Sequence, residues 1–187
     1  MATSRRPKTP TEAPSTAASG AAAAAGKGER PRRYWLFKSE PDSYSFERFE
    51  RERRTFWSGV RNYQARNLLR SEIQVGDGVL FYHSNHDPMA IVGLAAVVRN
   101  GYPDPTAFQR DSEYFDPDSD PEAPTWYVVD IECKGAMREP VTRERCKREP
   151  ALAGMVLLQR GSRLSVQPVT ADEWRTILRL GGQRESW

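Results

Sequence analysis

The sequence predicts an α+β fold, in which a small curved mixed β-sheet or barrel carries flanking helices. Apolar runs of strand length predominate, and the longest of them, Met89 to Val98, is rich in β-branched residues. Shorter helical patterns separate these runs. Near the end of the chain, Thr170 and Glu173 have the spacing of a capping box ahead of an apolar stripe, which predicts a C-terminal helix.

The first third of the fold is predicted to contain one strand and two helices. Residues 34–38 form an apolar run of strand length. Ser43 or Ser45 can cap a short helix over residues 47–53, and Asn62 begins a second helix. The apolar positions of the two helices are Phe46, Phe49, Ala65, Leu68 and Leu69.

Strands form the centre of the predicted fold. A turn over Val75 to Gly78 leads into a strand from Val79 to His83, and Met89 to Val98 forms the next. Trp126 to Cys133 forms another strand, and the C-terminal helix stops at Gly181. The core face of that helix consists of Trp174, Ile177 and Leu178.

Residues 103–124 interrupt this alternation with five prolines and seven acidic residues against the single Arg110. A loop of this length inside a compact domain is usually functional or disordered. Its charge argues against phosphate binding along it. Four aromatic residues predict that the loop packs partly against the domain: Tyr102, Phe108, Tyr114 and Phe115.

Composition divides the chain into a basic tail over residues 1–33, a domain over residues 34–182 and a C-terminal tail over residues 183–187. The first tail is rich in Ala, Ser and Pro and cannot bury enough surface to fold. Its seven basic and two acidic residues give +5, and the chain carries +3, so residues 34–187 carry 3 − 5 = −2. A domain that holds nucleic acid mainly through phosphates needs a basic face. This charge favours a pocket that reads one base.

No segment approaches the ~20 apolar residues of a membrane span, and the tail lacks the apolar core of a secretory signal. We therefore expect a bacterial cytoplasmic protein with access to the nucleoid, with a mitochondrial transit peptide as the alternative interpretation of the tail. Cys133 and Cys146 are expected to be reduced thiols. The oligomeric state is left open, with a monomer as the simplest expectation.

The stretch from Trp57 to Asn67 has the composition of a binding site. A large indole lies next to Gly59 and a dense set of Asn and Arg side chains. A pocket for a flat, polar heterocycle requires an aromatic wall with amide and guanidinium groups nearby, because the ring stacks while the polar groups address edge atoms and phosphate. The alternative is a helix N-terminus capped by Asn62, with an Arg-rich polar face.

Four motifs, in order, resemble the EVE domain family. They are Tyr34 to Pro41, Trp57 to Asn67, Leu80 to Asn85 and Gln159 to Pro168, and the resemblance covers residues 34–180. It implies a PUA-like fold related to YTH domains. It also implies a non-catalytic module, without cofactor or metal, that binds a modified base in an aromatic-walled pocket. Modified cytosine in DNA is the ligand that the resemblance favours, and RNA is the alternative.

On this interpretation Trp57 forms one wall of the pocket, and a second aromatic comes from Tyr63 or from residues 102–115. Asn62 and Ser39 address the polar edge of the base. The residues assigned to base binding are Lys38, Ser39, Trp57, Arg61, Asn62, Tyr63, His83, Ser84 and Asn85. Those assigned to phosphates are Arg66, Arg160 and Arg163, for which a solvated surface charge is the alternative. Trp35 and Trp126 are assigned to the core.

A small hydrolase directed at nucleotides or nucleic acid is the alternative function. Ser39 and His83 could pair across neighbouring strands, but no nucleophile elbow or orienting acid accompanies them. His83 and His86 form an H-x-x-H pair without further ligands nearby, so no metal site is expected. No Gly-rich phosphate loop of either common type is present.

Overall fold

The computed structural model describes residues 30–161 and 163–184. The predicted N-terminal tail therefore lies outside the described residues over positions 1–29, and the predicted C-terminal tail lies outside them over positions 185–187.

A six-stranded mixed sheet forms the centre of the fold, with the strand order β2-β5-β4-β3-β1-β6. Strands β1 and β3 run parallel, and the other neighbouring strands run antiparallel. Over the described ranges the sheet is open, with β2 and β6 at its edges. The α+β prediction is confirmed. Of the two predicted alternatives, a sheet or a barrel, the structure has a sheet. The strands are β1 (Tyr34–Ser39), β2 (Arg54–Phe56), β3 (Gly78–His83), β4 (Ala90–Pro103), β5 (Tyr127–Thr142) and β6 (Val166–Val169).

Short helices with side-chain caps connect the strands. Ser45, not Ser43, caps the first helix by accepting from the Arg48 amide. Thr170 and Glu173 form the predicted capping box of the last. The α-helices are α1 (Phe46–Glu52), α2 (Tyr63–Asn67), α3 (Arg143–Arg148) and α4 (Ala171–Leu180). A π-helix (Leu68–Glu72) continues α2, and 3-10 helices lie at Pro105–Phe108, Pro150–Leu152 and Val156–Leu158.

The sheet separates two apolar clusters, because successive side chains of a strand point to opposite faces. Along β1, Trp35 and Phe37 belong to one cluster and Leu36 belongs to the other. Helix α1 covers the first face with Phe46 and Phe49, as predicted. Helix α4 covers the second face with its predicted apolar residues Trp174, Ile177 and Leu178.

Two strands are longer than the sequence predicts. Strand β4 continues past Val98 to Pro103, which pairs with Tyr127 and shortens the predicted loop. Strand β5 continues past Cys133 to Thr142, with register shifts against β4 and with Gly135 at φ +125°. These irregularities break the alternation of apolar residues, so the sequence pattern ends before the strand does.

The described fold includes Arg33, which the sequence places in the tail. Its amide donates to Oδ1 of Asp77 at 3.1 Å, and its carbonyl accepts from the amide of Gly78 at 3.0 Å. Its guanidinium pairs with Glu72 at 2.6 Å. The segment just ahead of β1 is therefore fixed to the turn that precedes β3.

Candidate binding pocket

A cavity of about 980 Å³ opens where β1 ends, beside β2 and the segment that precedes α2. This volume is at the upper end of the range for small-molecule sites. Four aromatic side chains contribute to its lining: Tyr44, Phe56, Trp57 and Tyr114. Of the residues assigned to base binding, Lys38, Ser39 and Trp57 line the cavity.

Trp57 is both a core residue and a lining residue. Its side chain is only 7% exposed. Its ring centroid lies 5.1 Å from that of Phe37 and 5.5 Å from that of Phe81, and its amide donates to the carbonyl of Val129 at 2.8 Å. A ligand in the cavity therefore meets the small exposed part of an indole that is held in place by packing.

Tyr114 lies directly over Gly59, which has φ +77°. A methyl group at Gly59 would be 2.7 Å from Cζ of the tyrosine ring, closer than carbon atoms pack. The ring can take this place only because position 59 lacks a side chain. Tyr114 belongs to the acidic segment between β4 and β5. It also lies within the range of residues predicted to supply the second aromatic.

Polar groups in the cavity largely satisfy one another. The hydroxyl of Ser39 donates to the carbonyl of Tyr44 at 2.7 Å. The Tyr44 hydroxyl donates to Glu52 at 2.7 Å, and Arg48 donates to the same carboxylate at 2.8 Å. Burial, followed by this hydrogen bond to Glu52, raises the pKa of Tyr44 to about 12, so that at neutral pH its hydroxyl remains a donor.

The charges around the cavity are mixed, with three basic and three acidic lining residues: Lys38, Arg48, Arg54, Glu40, Glu52 and Glu113. Burial lowers the pKa of Lys38, and the guanidinium of Arg143 lowers it further. A lining of both signs suits a flat molecule with a polar edge better than it suits a polyanion.

His83, Ser84 and Asn85 lie where β3 ends and are not lining residues. Nε2 of His83 accepts from the amide of Phe46 at 3.1 Å. The Ser84 amide donates to the carbonyl of Ser39 at 2.9 Å, and Asn85 donates to Glu40 at 2.5 Å. These contacts tie the turn to the end of β1.

The same contacts bear on the hydrolase alternative. Ser39 and His83 are direct partners across the parallel strands β1 and β3. The Ser39 hydroxyl is engaged with a carbonyl, and Nε2 of His83 is engaged with an amide. A serine nucleophile needs its hydroxyl bonded to the base, and this pair has no such bond.

Asn62 caps α2, Tyr63 and Arg66 lie on that helix, and none of the three lines the cavity. Oδ1 of Asn62 accepts from the Ala65 amide at 3.0 Å, which is the helix-cap alternative. Tyr63 is 63% exposed, and its ring centroid lies 5.2 Å from that of Trp126. The guanidinium of Arg66 lies 5.1 Å from the Tyr63 ring centroid and donates to the Thr125 carbonyl at 2.9 Å.

Arg61 points into the protein rather than into the cavity. Its Nη1 lies 2.8 Å from Oδ2 of Asp104, whose side chain is buried. Arg160 and Arg163 are exposed, and neither lines the cavity. The sequence did not identify several lining residues, because they come from separate segments without a shared pattern: Tyr44, Arg48, Glu52, Phe56 and Ser165.

Among the described residues, no group of three or more His, Cys, Asp or Glu side chains could hold a metal ion. Within the same residues, no helix is long and apolar enough to cross a membrane. Cys133 and Cys146 are both buried and unpaired with each other.

The fold and the cavity define a small α+β domain with an aromatic-lined cavity. The chain belongs to the EVE domain family, whose sequence profile matches residues 33–180. The predicted PUA-like fold is confirmed with it. Mouse thymocyte nuclear protein 1 is 37% identical over 172 residues, which cover 82% of this chain and 75% of the mouse protein.

Two solved structures are similar over most of the domain. A Pseudomonas syringae protein is 42% identical with a TM-score of 0.76, over 79% of this chain and 99% of that one. Human THYN1 protein, solved in complex with 5-methylcytosine-containing DNA, is 35% identical with a TM-score of 0.75, over 82% of this chain and 99% of that one.

Proposed function

We propose that this protein is a non-catalytic module that binds 5-methylcytosine in DNA, in the cavity lined by Trp57 and Tyr114. The complex of the human relative with 5-methylcytosine-containing DNA carries the proposal. The aromatic lining supports it, because stacking on such rings contributes ~1–3 kcal/mol per base. A base inside a duplex must leave the stack to enter the cavity.

The charge of the molecule supports a ligand recognised by one base. Residues 34–187 carry −2, so backbone attraction alone is weak. We assign Trp57 and Tyr114 to stacking and Ser39 and Lys38 to the polar edge. The exposed Tyr63 and the half-buried Arg66 of α2 are assigned to the flanking strand, together with Arg160 and Arg163. The assignments of Arg61, Asn62 and the turn His83, Ser84 and Asn85 are indirect: these residues shape the elements around the cavity.

We further propose that the protein acts in the cytoplasm with access to the nucleoid, because its ligand is genomic DNA. The described residues give no reason to assign it a metal or a cofactor, and a monomer suffices for a pocket that lies within one chain.

The experiment is a binding titration with duplex oligonucleotides of one sequence. They carry cytosine or one 5-methylcytosine at the same position, and binding is measured at two salt concentrations. We expect tighter binding of the modified duplex, with a ratio of Kd values that stays constant as salt rises. A matched RNA containing 5-methylcytidine forms the third arm. Equal affinity for both DNA duplexes would overturn the proposal, and preference for the RNA would transfer it to RNA.

A further inference from the structure

Arg61 makes several contacts with the acidic segment between β4 and β5, residues 104–126. Its Nη1 pairs with the buried carboxylate of Asp104 at 2.8 Å, and its Nη2 donates to the carbonyl of Tyr114. Its guanidinium carbon lies 5.5 Å from the ring centroid of Tyr114 and 5.1 Å from that of Trp126. One side chain thus joins the beginning, the middle and the end of the segment.

The segment is closed at its base by the same residues. The Asp104 amide donates to the carbonyl of Trp126 at 2.9 Å. Oδ1 of Asp104 accepts from the amide and the hydroxyl of Thr106, at 2.9 and 2.6 Å. Nε1 of Trp126 donates to Asp116 at 2.5 Å. One carboxylate oxygen of Asp104 therefore accepts hydrogen bonds from within the segment, and the other pairs with Arg61.

The Tyr114 ring lies on Gly59, two residues before Arg61 in the chain. Arg61 and Gly59 both contact Tyr114. Arg61 donates to its carbonyl, and Gly59 leaves space for its ring. Both belong to the stretch that begins with Trp57. Trp57 and Tyr114 are thereby fixed relative to each other through the five consecutive residues 57–61.

We propose that Arg61 is a positioning residue, which sets the place of the Tyr114 ring and so the width of the cavity available to a modified base. This inference rests on the proposed function. It differs from the direct contact with the base that the sequence predicts for Arg61. A fork of guanidinium donors can bond the carboxylate and the carbonyl at once, whereas a lysine ammonium is a single point charge. Arg61→Lys therefore keeps the charge and loses the geometry.

The binding test compares Arg61→Lys, Tyr114→Leu and the double variant, with Tyr114→Phe as the ring-preserving control. Arg70→Lys is the matched arginine control, because Arg70 is exposed and lies 5.6 Å from the ring of Tyr127, not in the cavity. The probes are the duplexes with cytosine or 5-methylcytosine. We expect Arg61→Lys and Tyr114→Leu each to lower the ratio of Kd values about tenfold, without changing the salt dependence. We expect the double variant to lose no more than either single one.

Two binding results would overturn the proposal. Equal loss of affinity for both duplexes in Arg61→Lys, with no change in their Kd ratio, would make Arg61 a ligand of the DNA backbone rather than a positioning residue. Additive losses in the double variant would separate Arg61 from Tyr114. Melting curves of every variant identify any that fail to fold.

A measurement without DNA keeps this inference distinct from the proposed function. Hydrogen exchange of residues 104–126 should accelerate at least tenfold in Arg61→Lys, while that of α4 stays unchanged. Unchanged exchange in residues 104–126 would overturn the positioning role even if the protein binds 5-methylcytosine. If the parent shows no preference for the modified duplex, the proposed function fails, and accelerated exchange would still establish what Arg61 holds in place.

Discussion

At the scale of single residues, the cavity depends on side chains that also belong to the core. Trp57 packs on Phe37 and Phe81, and Tyr114 packs on Gly59. Such sharing fixes the lining in advance of the ligand, which lowers the entropy lost on binding. It also means that substitutions in the cavity change stability and affinity together, so each needs a control elsewhere with the same structural cost.

Gly59→Ala is expected to reduce the preference for 5-methylcytosine, because the added methyl group would displace the Tyr114 ring. The positive φ adds a cost of about 1–2 kcal/mol in stability. Gly76→Ala is the control: Gly76 has φ +93°, and nothing lies within 4 Å of the added Cβ. Melting temperature and both Kd values should be measured. Both variants should melt earlier, and only Gly59→Ala should change the Kd ratio; an unchanged ratio there would contradict the close contact with Tyr114.

Trp57→Ala is expected to lower the free energy of unfolding by ~3–5 kcal/mol, because it removes a buried ring from the first cluster. Trp57→Phe keeps an aromatic ring and is the variant for binding experiments. It should weaken binding of the modified duplex more than that of the unmodified one. Trp35→Phe is the control, since Trp35 is fully buried and bonds Asp77 at 2.8 Å rather than lining the cavity. Equal effects of both Phe variants on the Kd ratio would remove Trp57 from the site.

At the scale of elements, the sequence predicted the features that depend on contacts between residues close together in the chain. The caps at Asn62 and Thr170 were predictable, because a capping side chain bonds amides two or three residues away. The continuation of β5 past Cys133 was not, because Gly135 and the register shifts serve a pairing with β4. The cavity was predictable only in part for the same reason. Trp57 and Ser39 lie in recognisable motifs, whereas Tyr44 lies in none. For Tyr114 only the range that contains it was predictable, because its contact with Gly59 is distant in sequence.

Asn62→Ala is expected to cost about 1 kcal/mol in stability, because the first turn of α2 loses its cap. Asn62→Ser keeps a capping oxygen and removes the amide group. If Asn62 acts through the helix alone, Asn62→Ser should match the parent in melting temperature and in the Kd ratio of the two duplexes. A normal melting temperature with a reduced ratio would instead show that the amide contacts the base.

The junction of β3 and α1 predicts a pH dependence. Burial lowers the pKa of His83, with Glu47 opposing and His86 adding to this shift. Only a neutral Nε2 can accept from the Phe46 amide. The unfolded chain takes up the proton at His83 near the ordinary pKa of about 6.5, whereas the folded protein takes it up only at a lower pH. The contribution of His83 to stability is therefore complete above about pH 6.5 and is lost as the pH falls toward the lowered pKa of the folded state.

Melting temperatures between about pH 7.5 and 5.5 test this dependence, a window chosen to lie above the ordinary range of carboxyl pKa values. The parent should lose stability across it, and His83→Gln should lose less, because glutamine can accept from the amide without titrating. His86→Gln should fall between the two, because it removes the smaller contribution of His86 to the shift and leaves His83 able to titrate. An identical slope for the parent and His83→Gln would show that His83 does not set the dependence.

At the scale of the whole molecule, charge is divided along the chain. The net charge of +3 conceals a negative domain and a positive N-terminal segment. Recognition by one base and attraction by charge are thus assigned to different parts of the chain. They should respond differently to salt, because only attraction between the basic residues and phosphate depends on counterion release.

Deletion of residues 1–29 separates the two contributions while leaving Arg33 and its contacts in place. This segment holds four basic residues, Arg5, Arg6, Lys8 and Lys27, and two acidic ones, Glu12 and Glu29. We expect the truncated protein to bind unmodified DNA more weakly at low salt. The slope of log affinity against log salt should fall by at most about four units, one for each basic residue. The Kd ratio of the two duplexes should stay the same, because both lose the same attraction. The control is a full-length variant with the four basic residues changed to Gln, which should match the deletion. If the slope stays the same in both, these basic residues do not reach the DNA; if the ratio falls in both, they contribute to reading the base.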